Sequence, residues 1–247
     1  MPYLEQAGFG SAALIRTFDL RYNLISTLVE RWCSETHTFH FPCGECTVTL
    51  EDVALQLGLP IDRSPVTGVT AFTEPAALSN ATEGELMCAA RAYIMHIIGG
   101  VLMPDASNNK VHIMYLPLLA DLTNVCSYSW SFAVLAVLYR ELCRTTKPSV
   151  VDMGECLTLL YREVVHCPDT TTDDRTACRG RTVIRSSAYV HSEMWCTNAP
   201  IIKFNVVEWY HGDQVLRQFG CIRYIPDPPC EVGVVHGISK RGKPQLD

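Results

Sequence analysis

The chain lacks the positive excess that a surface built to wrap nucleic acid requires. Its 20 lysines and arginines stand against 26 acidic residues, a net charge of −6 over 247 residues, so any contact with phosphates has to be local. It lacks a basic start followed by an unbroken apolar run, because Glu5, Arg16 and Asp19 interrupt the beginning; no secretory leader is expected, and the chain should be intracellular. Its longest apolar stretches, Ala92 to Met103 and Phe132 to Tyr139, fall short of the roughly 20 residues that cross a bilayer, which predicts a soluble protein without a membrane partner. Lysines are few, no glycine-rich cradle follows a strand and no internal repeat is found, so the signatures of pyridoxal-phosphate sites, nucleotide loops and solenoids are missing and no cofactor is expected. Charge is scarce at 19% of residues while 48% are apolar, a balance that excludes disorder and supplies a substantial core. Twelve cysteines are too thinly spread for a disulfide-built scaffold. Cys88, Cys126, Cys143 and Cys156 lie in or beside apolar periodic stretches and are expected as reduced core thiols.

What is present reads mainly as helix. Leu14, Phe18, Ile25, Leu28, Val29 and Trp32 recur at helical spacing, predicting an amphipathic helix over Ser11 to Trp32. Thr38 to Phe41 and Cys46 to Thr49 flank a turn rich in Pro and Gly and predict a β-hairpin. Pairing Phe41 with Cys46 and Phe39 with Val48 would put those four on one face, with Thr38, His40, Thr47 and Thr49 on the other. The second strand runs into a short helix in which Thr49 caps against Asp52, Leu50, Val53, Ala54 and Leu57 form the stripe, and Gly58-Leu59-Pro60 is the stop. A capping box at Thr82 to Glu85 opens a helix through Leu86, Ala90, Ile94, Ile97 and Ile98, ended by Gly99-Gly100. Further helices are expected over Val111 to Leu122, Ser129 to Cys143 and Gly154 to Val165, then an exposed loop over 166–182, a β-like run from Ile201 to Val207 and a capped helix from Asp213 to Phe219. The fold class is α+β, mainly α: a helical domain with an N-terminal β-hairpin and a short C-terminal strand-helix unit.

Few groupings carry chemistry. His37, His40, Cys43 and Cys46 have zinc-like spacing, but the hairpin register sends Cys46 and His40 to opposite faces, so no metal site is expected. Ser107 to Lys110 matches a serine–lysine spacing without the companion motifs and reads as a polar turn. With twelve cysteines and eight histidines, a cysteine–histidine nucleophile is conceivable but no pair is singled out. Asp169, Asp173 and Asp174 lack the other ligands of a calcium loop. Arg175, Arg179, Arg181 and Arg185 form the one local basic run, without interleaved aromatics to stack on bases. Asp213 and Arg217 are spaced for an ion pair along a helix. Candidate interaction residues are therefore His40, Trp130, Arg175, Arg179, Arg181, Arg185, Asp213 and Arg217, with Trp130, at the start of an apolar helix, read as core ahead of recognition anchor; no catalytic, cofactor-binding or metal-binding residue is assigned.

One long ordered set of motifs is more specific. It comprises Leu28 to Trp32, Glu35 to Glu45, Thr47 to Val53, Leu57-Gly58-Leu59-Pro60 and Pro65 to Gly68. Tyr115 to Leu122, Tyr128-Ser129-Trp130 with Ala133 to Ala136, Leu138 to Arg140 and Val215 to Gly220 follow in the same order. Together they resemble the plant mobile domain family, over roughly Leu14 to Pro228. The resemblance implies an N-terminal extension over 1–10, the domain over 11–228 and a mobile tail over 229–247. It also implies a transposon-associated, nuclear, non-enzymatic interaction domain linked to meristem maintenance, genome stability and silencing of mobile elements, with a nuclear, phosphatase-like partner and at most weak, nonspecific contact with nucleic acid. The family is also labelled aminotransferase-like, but no lysine here can be assigned to pyridoxal phosphate. The alternatives are a transposon-derived DNA-binding domain and a degenerate, inactive copy.

Overall fold

The computed structural model describes residues 2–15, 22–42, 44–67, 81–104, 111–147, 149–150, 153, 159–160, 198–212 and 214. In chain order these form helix α1 (Pro2–Gln6), a 3-10 turn at Ala12–Leu14, α2 (Tyr22–Arg31), strands β1 (Trp32–Cys33), β2 (Thr38–Phe41) and β3 (Gly44–Cys46), and α3 (Leu50–Leu57). There follow α4 (Ala81–Ile97) with a π turn over Ile98–Leu102, a 3-10 stretch over Ile113–Leu119, α5 (Leu122–Val125), α6 (Trp130–Thr145), β4 (Asn198–Lys203) and β5 (Val206–His211). The mainly helical α+β class is as the sequence predicts. The expected helix over Gly154 to Val165, apart from the buried Leu159 and Leu160, lies outside the described residues. So do the loop over 166–182 with its aspartates and arginines, the Ser107 to Lys110 turn, Cys43, Cys156, Asp213, Arg217, most of the C-terminal helix and the tail.

The core is organised around α6. Ser129 caps it, its side chain accepting from the Phe132 amide, and every residue from Trp130 to Tyr139 is buried, as is Leu142. A helix apolar on all sides is stable only if other elements enclose it; α3, β1, β4 and β5 all pack on it. The Ser131 hydroxyl donates to the Pro60 carbonyl at 2.8 Å, which satisfies a polar group in an otherwise apolar layer. The α3 segment forms as its local sequence dictates. Thr49 and Asp52 exchange side-chain and backbone hydrogen bonds in a complete capping box, and Gly58 closes the helix in the left-handed conformation at φ 66°.

Other elements depart from expectation. The helix predicted over Ser11 to Trp32 is not continuous. Ile15 is extended after the 3-10 turn, regular helix among the described residues spans Tyr22–Arg31, and Trp32 enters β1, where it pairs with Phe39. Leu14, released from the helical face, is 77% exposed. The hairpin is shifted by two residues: Phe39 pairs with Cys46 and Phe41 with Gly44. A two-residue connection has replaced the expected four-residue turn, and an even shift keeps the faces unchanged. The strand ends at Cys46, however, so Thr47 turns inward instead of occupying a polar face and is buried with Val48 and Thr49. Gly99-Gly100 does not stop α4; the chain winds on through the π turn, and the Val111 side chain sits where a Gly99 Cβ would project. The combined segment Thr82–Leu102 reaches 21 residues, long and apolar enough by length and composition to cross a membrane, and within its most apolar 18-residue stretch 28% is buried. Its Arg91 donates to the carbonyls of Leu119 and Ala120 at 2.9 and 2.7 Å, docking it on the 3-10 stretch.

The helix expected over Val111 to Leu122 is instead a 3-10 stretch containing Pro117, followed by α5; proline removes an amide donor that a longer α-helix needs. The β-like run over Ile201 to Val207 is two antiparallel strands, β4 and β5, joined at Phe204, whose φ is 50° and whose amide donates to the Val66 carbonyl at 2.6 Å. Residues 2–10, expected as an extension, bury Leu4, Ala7 and Phe9. Phe9 meets the Trp130 ring edge-on at 5.3 Å. The described cysteines are thiols, but none is fully buried: Cys33, Cys46, Cys126 and Cys143 are half-buried, and Cys88 is exposed on α4.

Candidate functional site

Of the residues the sequence offers for interaction, two lie in the described part of the chain. His40 is exposed on β2, and its carbonyl accepts from Arg31 Nη1 at 3.3 Å, so the hairpin edge is tied to the end of α2. Trp130 is not available to a partner. It is 1% exposed, its indole N–H donates to the Val125 carbonyl at 3.0 Å, and aromatic rings of Phe9, Tyr115 and Tyr128 surround it. Its place at the start of a fully enclosed helix makes it a core anchor.

The exposed apolar surface is elsewhere. Leu86 is 58% and Tyr93 41% exposed along α4, while Ile113 and Leu116 protrude from the 3-10 stretch docked against that helix. A groove of about 440 Å³ runs along the C-terminal half of α4, lined by Ala12, Ala13, Ile15, Tyr93, Ile97 and Val101, with His96 at its polar side. Exposed apolar side chains of this kind are candidate points of contact for another macromolecule.

A second grouping was not legible in the sequence. The tight turn between β1 and β2 holds His37 at φ 53°, a region that non-glycine residues enter at a cost. It is kept there from several sides. The Thr47 hydroxyl donates to the His37 carbonyl at 2.6 Å and lies 3.0 Å from the Tyr139 hydroxyl, which itself donates to the Val48 carbonyl at 2.7 Å. The His37 ring stacks on Trp32 at 6.0 Å between centroids, and its Nδ1 meets the Trp209 carbonyl at 3.0 Å. Nε2 faces the Glu208 carboxylate at 3.7 Å, whose other oxygen takes a 3.0 Å hydrogen bond from Arg140 Nε. The same Trp32 indole donates to Cys143 Sγ at 3.3 Å, and the sulfur itself donates to the Ser34 carbonyl at 4.0 Å.

The charges respond to this arrangement. Burial pushes the Cys143 thiol up, but the hydrogen bonds from His37 and Trp32 and the charge on His37 outweigh it, and the thiol titrates below its ordinary range. Burial pulls His37 down, while its bonds to Cys143 and the Trp209 carbonyl and the nearby Glu208 carry it above an ordinary histidine. His37, one of the residues weighed for zinc, thus belongs to a thiol cluster assembled from α6, β5 and the β1–β2 turn. Only its 106-residue distance in sequence from Cys143 hid the pairing.

The chain matches the plant mobile domain over residues 8–87 and 69–162. It belongs to the plant mobile domain family. Among curated relatives, it is 32% identical to the Serine/threonine-protein phosphatase 7 long form homolog of Arabidopsis thaliana, over 99% of this chain and 25% of that protein. Protein MAINTENANCE OF MERISTEMS of the same plant is 30% identical, over 90% of this chain and 62% of the relative. Protein MAIN-LIKE 2 is 39% identical over 64% of this chain and 28% of its own length. The chain therefore spans between a quarter and about two thirds of the length of these relatives. No solved structure matches this plant mobile domain.

Proposed function

We propose that this plant mobile domain is a transposon-derived protein-interaction domain with no enzymatic role, acting in a plant nuclear complex linked to meristem maintenance, genome stability and silencing of mobile elements. The observation that carries the reading is the uncovered apolar face of α4. Leu86 and Tyr93 lie there beside a groove, on a molecule whose net charge of −6 discourages a nucleic-acid role. The partner is a phosphatase-like nuclear protein. A relative with phosphatase in its name aligns with 99% of this chain while three quarters of its own length lies outside the match, which favours a domain that works alongside such a polypeptide.

The test is affinity purification from plant nuclei of the wild-type chain and of a Leu86→Asp, Tyr93→Asp double variant. Both substitutions fall on exposed positions, so the thermal melt should be unchanged within a few degrees. Co-purification of a phosphatase-like protein with the wild type, lost in the double variant, supports the reading. Retention of one DNA sequence over scrambled competitor by more than about a hundredfold, at salt near 150 mM, overturns it in favour of the DNA-binding alternative.

A further inference from the structure

The exposed face of α4 carries a pattern as well as apolar character. Thr82, Leu86, Ala89, Tyr93, His96 and Gly100 are all exposed, and they recur at alternating steps of four and three. At about 100° per residue they share an arc of about 80° on the helix. Alternating steps of this kind make the seam of a two-helix coiled coil. The far end of the seam is contiguous in the structure. The Tyr93 and His96 rings lie 6.3 Å apart between centroids, and Gly100 sits over the imidazole, where a Cβ would come within 3.5 Å of Cε1. One edge of the seam carries Leu86 and, a few turns on, Ile97 and Val101, which line the groove together with Ala12, Ala13 and Ile15. Glu85, exposed, and His96 share the other edge.

Turned end over end about the level of residue 91, this seam fits itself. Ala89 comes opposite Tyr93, so the one large ring faces a methyl group, and Gly100 leaves room for Thr82. A two-fold axis keeps each edge against the same edge of the other copy. Leu86 therefore arrives at the level of His96 on the side of Ile97, over the groove, and Glu85 arrives beside the His96 imidazole, whose N–H donates to a carboxylate in either protonation state. Each contact is made twice. A parallel pairing would instead set Tyr93 on Tyr93 and Glu85 near Glu85. We propose that α4 pairs with α4 of a second copy of this chain, antiparallel, with Glu85 of each copy meeting His96 of the other. Such a self-complementary contact closes as a dimer. The proposal rests on the reading of this face as a protein-contact surface and names what occupies it in the isolated chain; a nuclear partner that takes the same face displaces the second copy.

The experiment is sedimentation equilibrium on the purified whole chain, kept reduced. A seam at the small end of specific interfaces corresponds to a Kd on the order of micromolar, so the range to cover is about 1 to 200 µM. Over it the mass should rise from the 27.5 kDa of one chain towards twice that value. Ala89→Glu changes an exposed position, so its thermal melt should be preserved, but it sets a carboxylate against Tyr93 of the second copy and should weaken pairing at least about thirtyfold. Glu85→His and His96→Glu, which each bring like groups together, should weaken it about three- to tenfold, and both exchanges in one chain should restore it. A wild-type chain still monomeric at about 200 µM, far above a micromolar Kd, overturns the proposal and leaves the nuclear-partner reading intact, because that reading is measured by co-purification. Dimers indifferent to Ala89→Glu, or a folded double exchange no better than its single parents, also overturn it. Dimerisation that follows these variants, without co-purification of a phosphatase-like protein, supports the pairing and counts against the partner reading alone.

Discussion

Helices α4 and α6 are nearly equal in length, 17 and 16 residues, and both are rich in apolar side chains, yet the molecule treats them oppositely. Helix α6 is enclosed by α3, β1, β4 and β5, while of the most apolar 18-residue stretch containing α4 28% is buried. Apolar content makes a helix eligible for burial, but the neighbours that reach it decide how much is covered. Those around α6 arrive from both ends of the chain. Among the described residues, those around α4 include α1, the N-terminal 3-10 turn and the 3-10 stretch, and Leu86, Cys88 and Tyr93 stay exposed. In one helix the apolar residues stabilise the fold; in the other they remain available to something else.

Truncation should expose that asymmetry most sharply. Leu135→Ala, at a fully buried position of α6, is expected to cost about 2 to 5 kcal/mol in urea melts, the range for opening a core cavity. Tyr139→Phe tests whether α6 also serves as a polar anchor. It strands the Val48 carbonyl and leaves the Thr47 hydroxyl without one neighbour, so about 1 to 3 kcal/mol should be lost in the same melts. Thr49→Ala removes the capping box of α3, a helix packed on α6, for about 1 kcal/mol.

The pH dependence of stability sharpens the picture of that same layer. Glu51 on α3 is buried, and burial together with neighbouring Asp52 pushes its carboxyl up from 4.5 to about 7. The folded state then holds the proton more tightly than the unfolded chain. Stability from this group is complete below about pH 4.5 and falls as pH rises to about 7. Chemical melts at stepped pH should show that fall, and Glu51→Gln should flatten it. The smallest effect belongs to α4. Leu86→Ala should change stability by less than about 0.5 kcal/mol, and a loss comparable with that of Leu135→Ala would mean that α4 is covered after all.

Local features were the legible ones. The Thr49–Asp52 box and the Gly58 stop each depend on residues within four positions of one another, and both form as their spacing dictates. The parity of the strands was legible, but the polar face was not, since of its four expected residues only His40 is exposed while Thr38, Thr47 and Thr49 are buried; nor was the register, since nothing in Pro42 to Gly44 sets the length of the turn. Thr47 was misplaced for a tertiary reason: Tyr139 and the His37 carbonyl draw it inward. The passage of α4 through two glycines is likewise decided by what packs alongside, Val111 against Gly99. The His37–Cys143–Glu208 cluster needs three remote segments to fold before it exists. One thiol among twelve and one imidazole among eight carry no mark of their eventual partner.

Gly58 has a consequence in evolutionary terms. Its φ of 66° already disfavours a side chain, and a Cβ there would run into the side chain of Ser11. Two independent constraints, one from the backbone and one from the N-terminal segment lying against it, act on a single position. Relaxing either leaves the other in force, so no single substitution elsewhere opens the site to another amino acid. Among functional descendants of this chain, position 58 should stay glycine while Leu86 and its neighbours on α4 drift with whatever covers them.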